Sequence, residues 1–166
     1  MYKKRDIINK KVIDKKGKNL GVVQDLIIDL DNKTVKGFKI KKNSFLKKEF
    51  YILQDNIIYF GNRIIINGGT KGDFFYFKDI RGMEVYDLKG SIIGIVEDLF
   101  ISYKDLSIKS LILTEGFFKN YTKGKRIVLL EDLIVGEESV IYIKENNYYF
   151  YSKIHGVEEN DNRKWD

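Results

Sequence analysis

The chain has 166 residues, of which 43% are apolar, 33% charged and 14% aromatic, with a formal net charge of +6. That is enough to bury one substantial core or two small ones, and too hydrophobic for a disordered chain. No apolar run approaches the ~18 residues of a membrane-crossing helix. The charged start Met1-Tyr2-Lys3-Lys4-Arg5-Asp6 leads into no apolar signal-type stretch, so the cytoplasm is the expected location. Cys is absent, which excludes disulfides, zinc–thiolate sites and thiol catalysis.

Ala and Pro are absent too, while Ile (24), Val (10), Phe (11) and Tyr (11) are abundant. These residues suit a pleated, half-buried surface and the best helix former is missing, so the chain reads as predominantly β. Part of the bias fits an A/T-rich genome, whose codons favour Lys, Ile, Asn, Tyr and Phe.

In chain order, a short strand at Lys11 to Asp14 enters a turn ending at Gly17, where Gly supplies the positive φ of a tight reversal. A long strand follows, with Leu20, Val22, Leu26, Ile28 and Leu30 expected on one face, interrupted by Gln24. The turn Asp31-Asn32-Lys33-Thr34 leads into a third strand, Val35 to Lys41. The glycine-dense stretch Asn67 to Gly72 reads as a linker. The same grammar then recurs: a strand at Glu84 to Asp87, a turn ending at Gly90, a long strand with Ile93, Ile95, Leu99, Ile101 and Tyr103 on one face interrupted by Glu97, and a strand from Ile108 to Thr114.

The recurrence is a duplication. Shifting the sequence by 73 positions aligns Asp6 to Ile40 with Asp79 to Leu113 without a gap, with 12 identities in 35 positions, among them Asp6/Asp79, Asp14/Asp87, Gly17/Gly90, Gly21/Gly94 and Asp25/Asp98. With three extra residues in the second copy, Ile52 to Ile58 falls on Val128 to Ile134. The domains expected are repeat 1 at 1–70, repeat 2 at 74–146, and a C-terminal extension at 147–166 with a frayed end. Short turns between neighbouring strands in a unit of this size predict an all-β fold of two consecutive small antiparallel barrels, since closure removes exposed edges.

The pattern Val-Ile-Asp-x-x-Gly-x-x-x-Gly-x-Val-x-Asp-Leu-x-Ile at Val12 to Ile28 returns at Val85 to Ile101 with Tyr86 in the second position. It resembles the PRC-barrel domain, and both copies carry the downstream acid and glycine, Asp55 with Gly61 and Glu131 with Gly136. That family includes the barrel of the photosynthetic reaction-centre H subunit, the C-terminal domain of ribosome maturation factors and stand-alone bacterial and archaeal proteins, some from spore formers. The resemblance implies a small β-barrel that acts as an adaptor docking on another protein, with no catalytic residues, no metal and no cofactor. The transmembrane helix of the reaction-centre subunit and the N-terminal domain of the ribosome factor have no counterpart here, so neither role carries over residue by residue. A stand-alone tandem protein is the nearest kin, and a link to sporulation rests on those kin and on composition.

Searching for chemistry gives little. His155 is the only histidine, so no His cluster exists for metal or nucleophilic work. Asp29 to Lys33 lacks the glycine and distal glutamate of a calcium loop, and Gly68-Gly69-Thr70-Lys71-Gly72 has phosphate-loop residues in the wrong order. Asp25 and Asp98 read as acceptors for the backbone of an adjoining turn, or as a shared binding contact. Gly17, Gly21, Gly90 and Gly94 read as turn and bulge residues.

Charge is what the repeats do not share. Residues 1–72 hold 17 Lys+Arg against 7 Asp+Glu, net +10, and residues 73–146 hold 10 against 13, net −3. Lys36, Lys39, Lys41, Lys42, Lys47 and Lys48 crowd one hairpin and its loop, a candidate contact for RNA, the ribosome or an anionic surface. The competing account is a solvated lysine face, favoured by the scarcity of arginine, whose planar fork suits phosphate better. In the extension, Tyr148 to Tyr151 and Ile154 are apolar enough to add a strand or turn on repeat 2, and Trp165 has no account.

Overall fold

The computed structural model describes residues 1–42, 50–115, 124–144 and 149–151. Repeat 1 runs through β1 (Tyr2–Lys3), α1 (Lys4–Ile7), β2 (Lys11–Asp14), β3 (Asn19–Asp29), β4 (Thr34–Lys41), β5 (Phe50–Leu53), a 3-10 turn (Gln54–Asn56), β6 (Ile57–Phe60) and β7 (Arg63–Ile66). Repeat 2 follows with α2 (Phe77–Ile80), β8 (Glu84–Tyr86), β9 (Ile92–Ile101), β10 (Ile108–Thr114), β11 (Lys125–Leu129), a 3-10 turn (Leu130–Asp132), β12 (Leu133–Val135) and β13 (Ser139–Tyr142), and then β14 (Tyr149–Tyr151). Strands dominate, in two sheets ordered β5-β4-β3-β2-β7-β6 and β12-β13-β8-β9-β10-β11-β14.

The expectation of wholly antiparallel sheets is corrected by one parallel pair in each, β2 with β7 and β8 with β13. The cause is the 3-10 turn, which passes the chain from β5 to β6, or from β11 to β12, without reversing it, so the returning hairpin brings β7 and β13 in parallel. Among the described residues, neither sheet closes into a barrel through hydrogen bonds. In repeat 1 the two end strands of the path, β5 and β6, are consecutive in the chain and joined at a corner by the 3-10 turn.

The predicted faces of the long strands are also corrected. In β3, Val23 pairs with Ile40 and the next pair is Asp25 with Lys39, leaving Gln24 as a bulge. In β9, Asp98 pairs with Ile112 and Val96 with Leu113, so Glu97 is the extra residue. A bulge shifts the period of two by one position. The inward residues are therefore Val23, Leu26 and Ile28 in β3, and Val96, Leu99 and Ile101 in β9, all buried, while Ile95 and Tyr103 are exposed. These inward rows from both repeats, with Phe77 and Ile80 of α2, belong to one continuous hydrophobic cluster. Each such side chain contributes about 1.5–3 kcal/mol by leaving water.

The repeats are joined by a reciprocal seam. The amide of Val35 donates to Leu106 O at 3.0 Å and the amide of Ile108 to Lys33 O at 2.7 Å, two bonds exchanged between equivalent positions. Lys33 and Leu106, also equivalent, both hold positive φ (52° and 57°). β1 of repeat 1 pairs with β9 of repeat 2, Lys3 opposite Phe100. Conversely Tyr76, just before α2, bridges Ile27 in β3, and Ile28 N donates to Phe75 O at 3.0 Å. Each repeat thus lays its leading segment on the long strand of the other, as the two halves of an isologous dimer would.

Candidate interaction surfaces

The acids shared by the two repeats are committed to backbone. Asp6 and Asp79 accept from the amides of Lys3 (2.7 Å) and Tyr76 (2.8 Å) at the starts of α1 and α2. Asp14 holds the amides of Lys16 and Lys18, and Asp87 those of Lys89 and Ser91, tying the turns that end at Gly17 and Gly90. Those two glycines have φ of 81° and 79°, a region that L side chains rarely adopt.

Asp25 and Asp98 lie at the seam. Asp25 is buried, accepts from Leu26 N at 2.9 Å and pairs with Lys4 Nζ at 2.7 Å. Asp98 accepts from Leu99 N at 2.8 Å and, across the seam, from Lys4 N at 3.0 Å. Desolvation raises the Asp98 carboxyl above its ordinary pKa, against the lowering effect of those two amides. Their partners are the next amide of their own strand and Lys4 of α1. Gly21 and Gly94 sit where a strand passes close: a Cβ on Gly21 would collide with the Lys41 carbonyl, and one on Gly94 would press on Leu113.

The lysine group is dispersed by local contacts. Lys36 pairs with Asp29 Oδ2 at 2.6 Å, and Asn32, followed by Lys36, holds that carboxyl well below the usual range. Lys39 lies over the rings of Tyr76 (5.2 Å) and Tyr51 (6.0 Å), and Lys42 over Phe50 (5.1 Å). Lys41 is exposed at the end of β4. Lys47 and Lys48 lie outside the described residues, as do His155 and Trp165. The segment from Thr70 to Tyr76 covers the outer face at β5: Thr70 bridges Tyr51, and Phe74 and Tyr76 pack around Tyr51 at ring separations of 5.1 and 6.3 Å. β14 extends the other sheet by pairing with β11, Tyr149 opposite Ile127.

Two rows on the outer faces were not singled out in the sequence, one apolar throughout in repeat 2 and one in repeat 1 that is apolar except for Asn19. On repeat 2, Ile92 pairs with Tyr86, Tyr86 with Ile141 and Ile141 with Ile134, one row across four strands. Ile92 and Ile134 are 55% and 57% exposed, whereas Val85 and Val140, between them on the opposite face, are fully buried. On repeat 1 the matching row is Asn19, Ile13, Ile65 and Tyr59, the last 55% exposed. The available signal was the unbroken apolar character of Leu133-Ile134-Val135 and Ile64-Ile65-Ile66, where a strand with one wet face alternates. Contiguous exposed aliphatics across several strands mark interaction surfaces.

The sequence model of the PRC-barrel domain matches twice, over residues 1–71 and 72–146. The chain is a tandem PRC-barrel protein. Among curated proteins, no match to the sequence was found. Both PRC-barrel repeats carry the turn acids Asp6/Asp79 and Asp14/Asp87, the same bulge and the same corner. No helix among the described residues of this PRC-barrel protein is long and apolar enough to cross a membrane.

Proposed function

We propose that this tandem PRC-barrel chain is a non-enzymatic cytoplasmic adaptor that docks on a protein partner through the outer rows of its two sheets. The observation carrying this reading is the row Ile92–Tyr86–Ile141–Ile134, exposed at both ends on a sheet whose opposite face is fully packed. The adaptor reading is supported by the family, whose domains serve as interaction modules. It is supported too by the use of Asp6, Asp14, Asp25, Asp79, Asp87 and Asp98 as backbone acceptors. A carboxylate saturated by amides and lysine is poorly placed to move protons.

The alternative, an RNA- or ribosome-associated factor using the basic repeat, gains less support, because Lys36, Lys39 and Lys42 are drawn onto Asp29 and aromatic rings. A tagged pull-down from the native host, with and without nuclease, separates the two. The adaptor reading expects a protein that survives nuclease and moderate salt and is lost when Ile134→Asp and Tyr59→Asp are combined. Ribosomal components that vanish with nuclease and are indifferent to that double variant would replace it with the RNA reading, whose affinity falls steeply with salt.

A further inference from the structure

Resting on the docking reading, we propose that the partner of each outer row is a second copy of this chain, bound head to tail. The basic-flanked row of repeat 1 in one copy meets the acid-flanked row of repeat 2 in the next. The argument is charge at equivalent positions. Beside the repeat 1 row, Lys11 pairs with Arg63 across β2 and β7, and both are exposed. Their counterparts beside the repeat 2 row are Glu84 and Ser139, paired across β8 and β13. The hairpin joining β12 to β13, Gly136-Glu137-Glu138, adds two exposed carboxylates where the repeat 1 hairpin, Gly61-Asn62, has none.

Lys11, Arg63, Glu137 and Glu138 have no ion pair among the described residues, and Glu84 accepts only the Tyr86 hydroxyl. Stacking two repeat 2 faces would set carboxylates against carboxylates, and two repeat 1 faces cations against cations. Only the mixed contact matches apolar to apolar and acid to base, which gives orientation and suppresses the like-with-like arrangements. Since each copy carries one face of each kind, the contact is heterologous and propagates into rings or open chains.

Sedimentation velocity on the full chain tests this. The average mass is expected to rise with concentration above that of one chain, and to fall back as ionic strength goes from about 0.05 to about 0.5 M. Ile134→Asp and Tyr59→Asp, both at exposed sites, should each weaken self-association at least about tenfold, equivalent to about 1.4 kcal/mol. Mixed one to one, they should give a species of two chains and no larger, because one intact face of each kind remains. Glu84→Lys should weaken association, and Glu84→Lys with Lys11→Glu should restore it.

Circular dichroism and thermal melting of each variant establish that it is folded. A wild-type chain that stays monomeric at about 0.5 mM, or a mixture that forms no two-chain species, overturns the proposal. If the wild type is monomeric while the chain with both Ile134→Asp and Tyr59→Asp loses its protein partner in the pull-down, homotypic pairing fails and docking stands. If the pull-down is unchanged by that double variant as well, both fail.

Discussion

Lys4 makes contacts to both repeats at the seam. Its ammonium pairs with Asp25 at 2.7 Å, with side chains only 14% and 6% exposed, and lies 4.9 Å from the centre of the Phe77 ring. Its amide reaches Asp98. Phe77 is the residue equivalent to Lys4 in the second repeat, so the two leading helices meet through one cation and one ring. Removing the cation while keeping an apolar stem leaves Asp25 as an uncompensated buried charge. Lys4→Met is therefore expected to lower unfolding stability by about 3 kcal/mol in urea titrations. Adding Asp25→Asn should recover part of that loss, a coupling that a double-mutant cycle reads directly.

At the level of strands and turns, close approach sets the cost of substitution. Gly21 has φ of 142° and faces the Lys41 carbonyl, whereas Gly17 has φ of 81° and open space around its Cα. Gly17→Ala should cost about 1 kcal/mol for backbone conformation alone. Gly21→Ala should cost about 3 kcal/mol, since strain and collision act together, and thermal melts of the pair would show the order.

Much of this architecture was legible. The shift of 73 positions placed Asp6, Asp14, Gly17 and Gly21 on Asp79, Asp87, Gly90 and Gly94, because local turn chemistry leaves local residues behind. Three features were not. A bulge at Gln24 or Glu97 inverts which apolar residues face inward, yet a polar residue in a strand looks the same whether it is bulged or facing water. The 3-10 corner reads as an ordinary short connection, and with it goes the parallel pairing of β2 and β7. The outer rows were hidden because an apolar residue in a strand predicts burial, and only the register shows that Ile134 and Ile92 point away from the core.

Over the whole molecule, the exchanged segments argue against independent repeats. Residues 72–166 alone would present β9 without β1 and the Phe75–Tyr76 segment without β3. The seam bonds are exchanged between equivalent positions, so a second copy of the same repeat can supply both. The expected outcome is a symmetric dimer of repeat 2 fragments, with the Ile108 amide donating to Leu106 of its neighbour and protected in hydrogen exchange. A fragment that is monomeric and cooperatively folded would contradict this.

The pairing of Lys3 with Phe100 also sets a timetable for synthesis. At about 5–20 residues per second, the first strand of the chain waits several seconds for its place in the second sheet to emerge from the ribosome. Until then the Phe38 and Leu26 core can condense, but Tyr2, Lys3 and Ile7 have no surface from the second repeat to rest on. A segment made before its partner strand is thus among the last to settle.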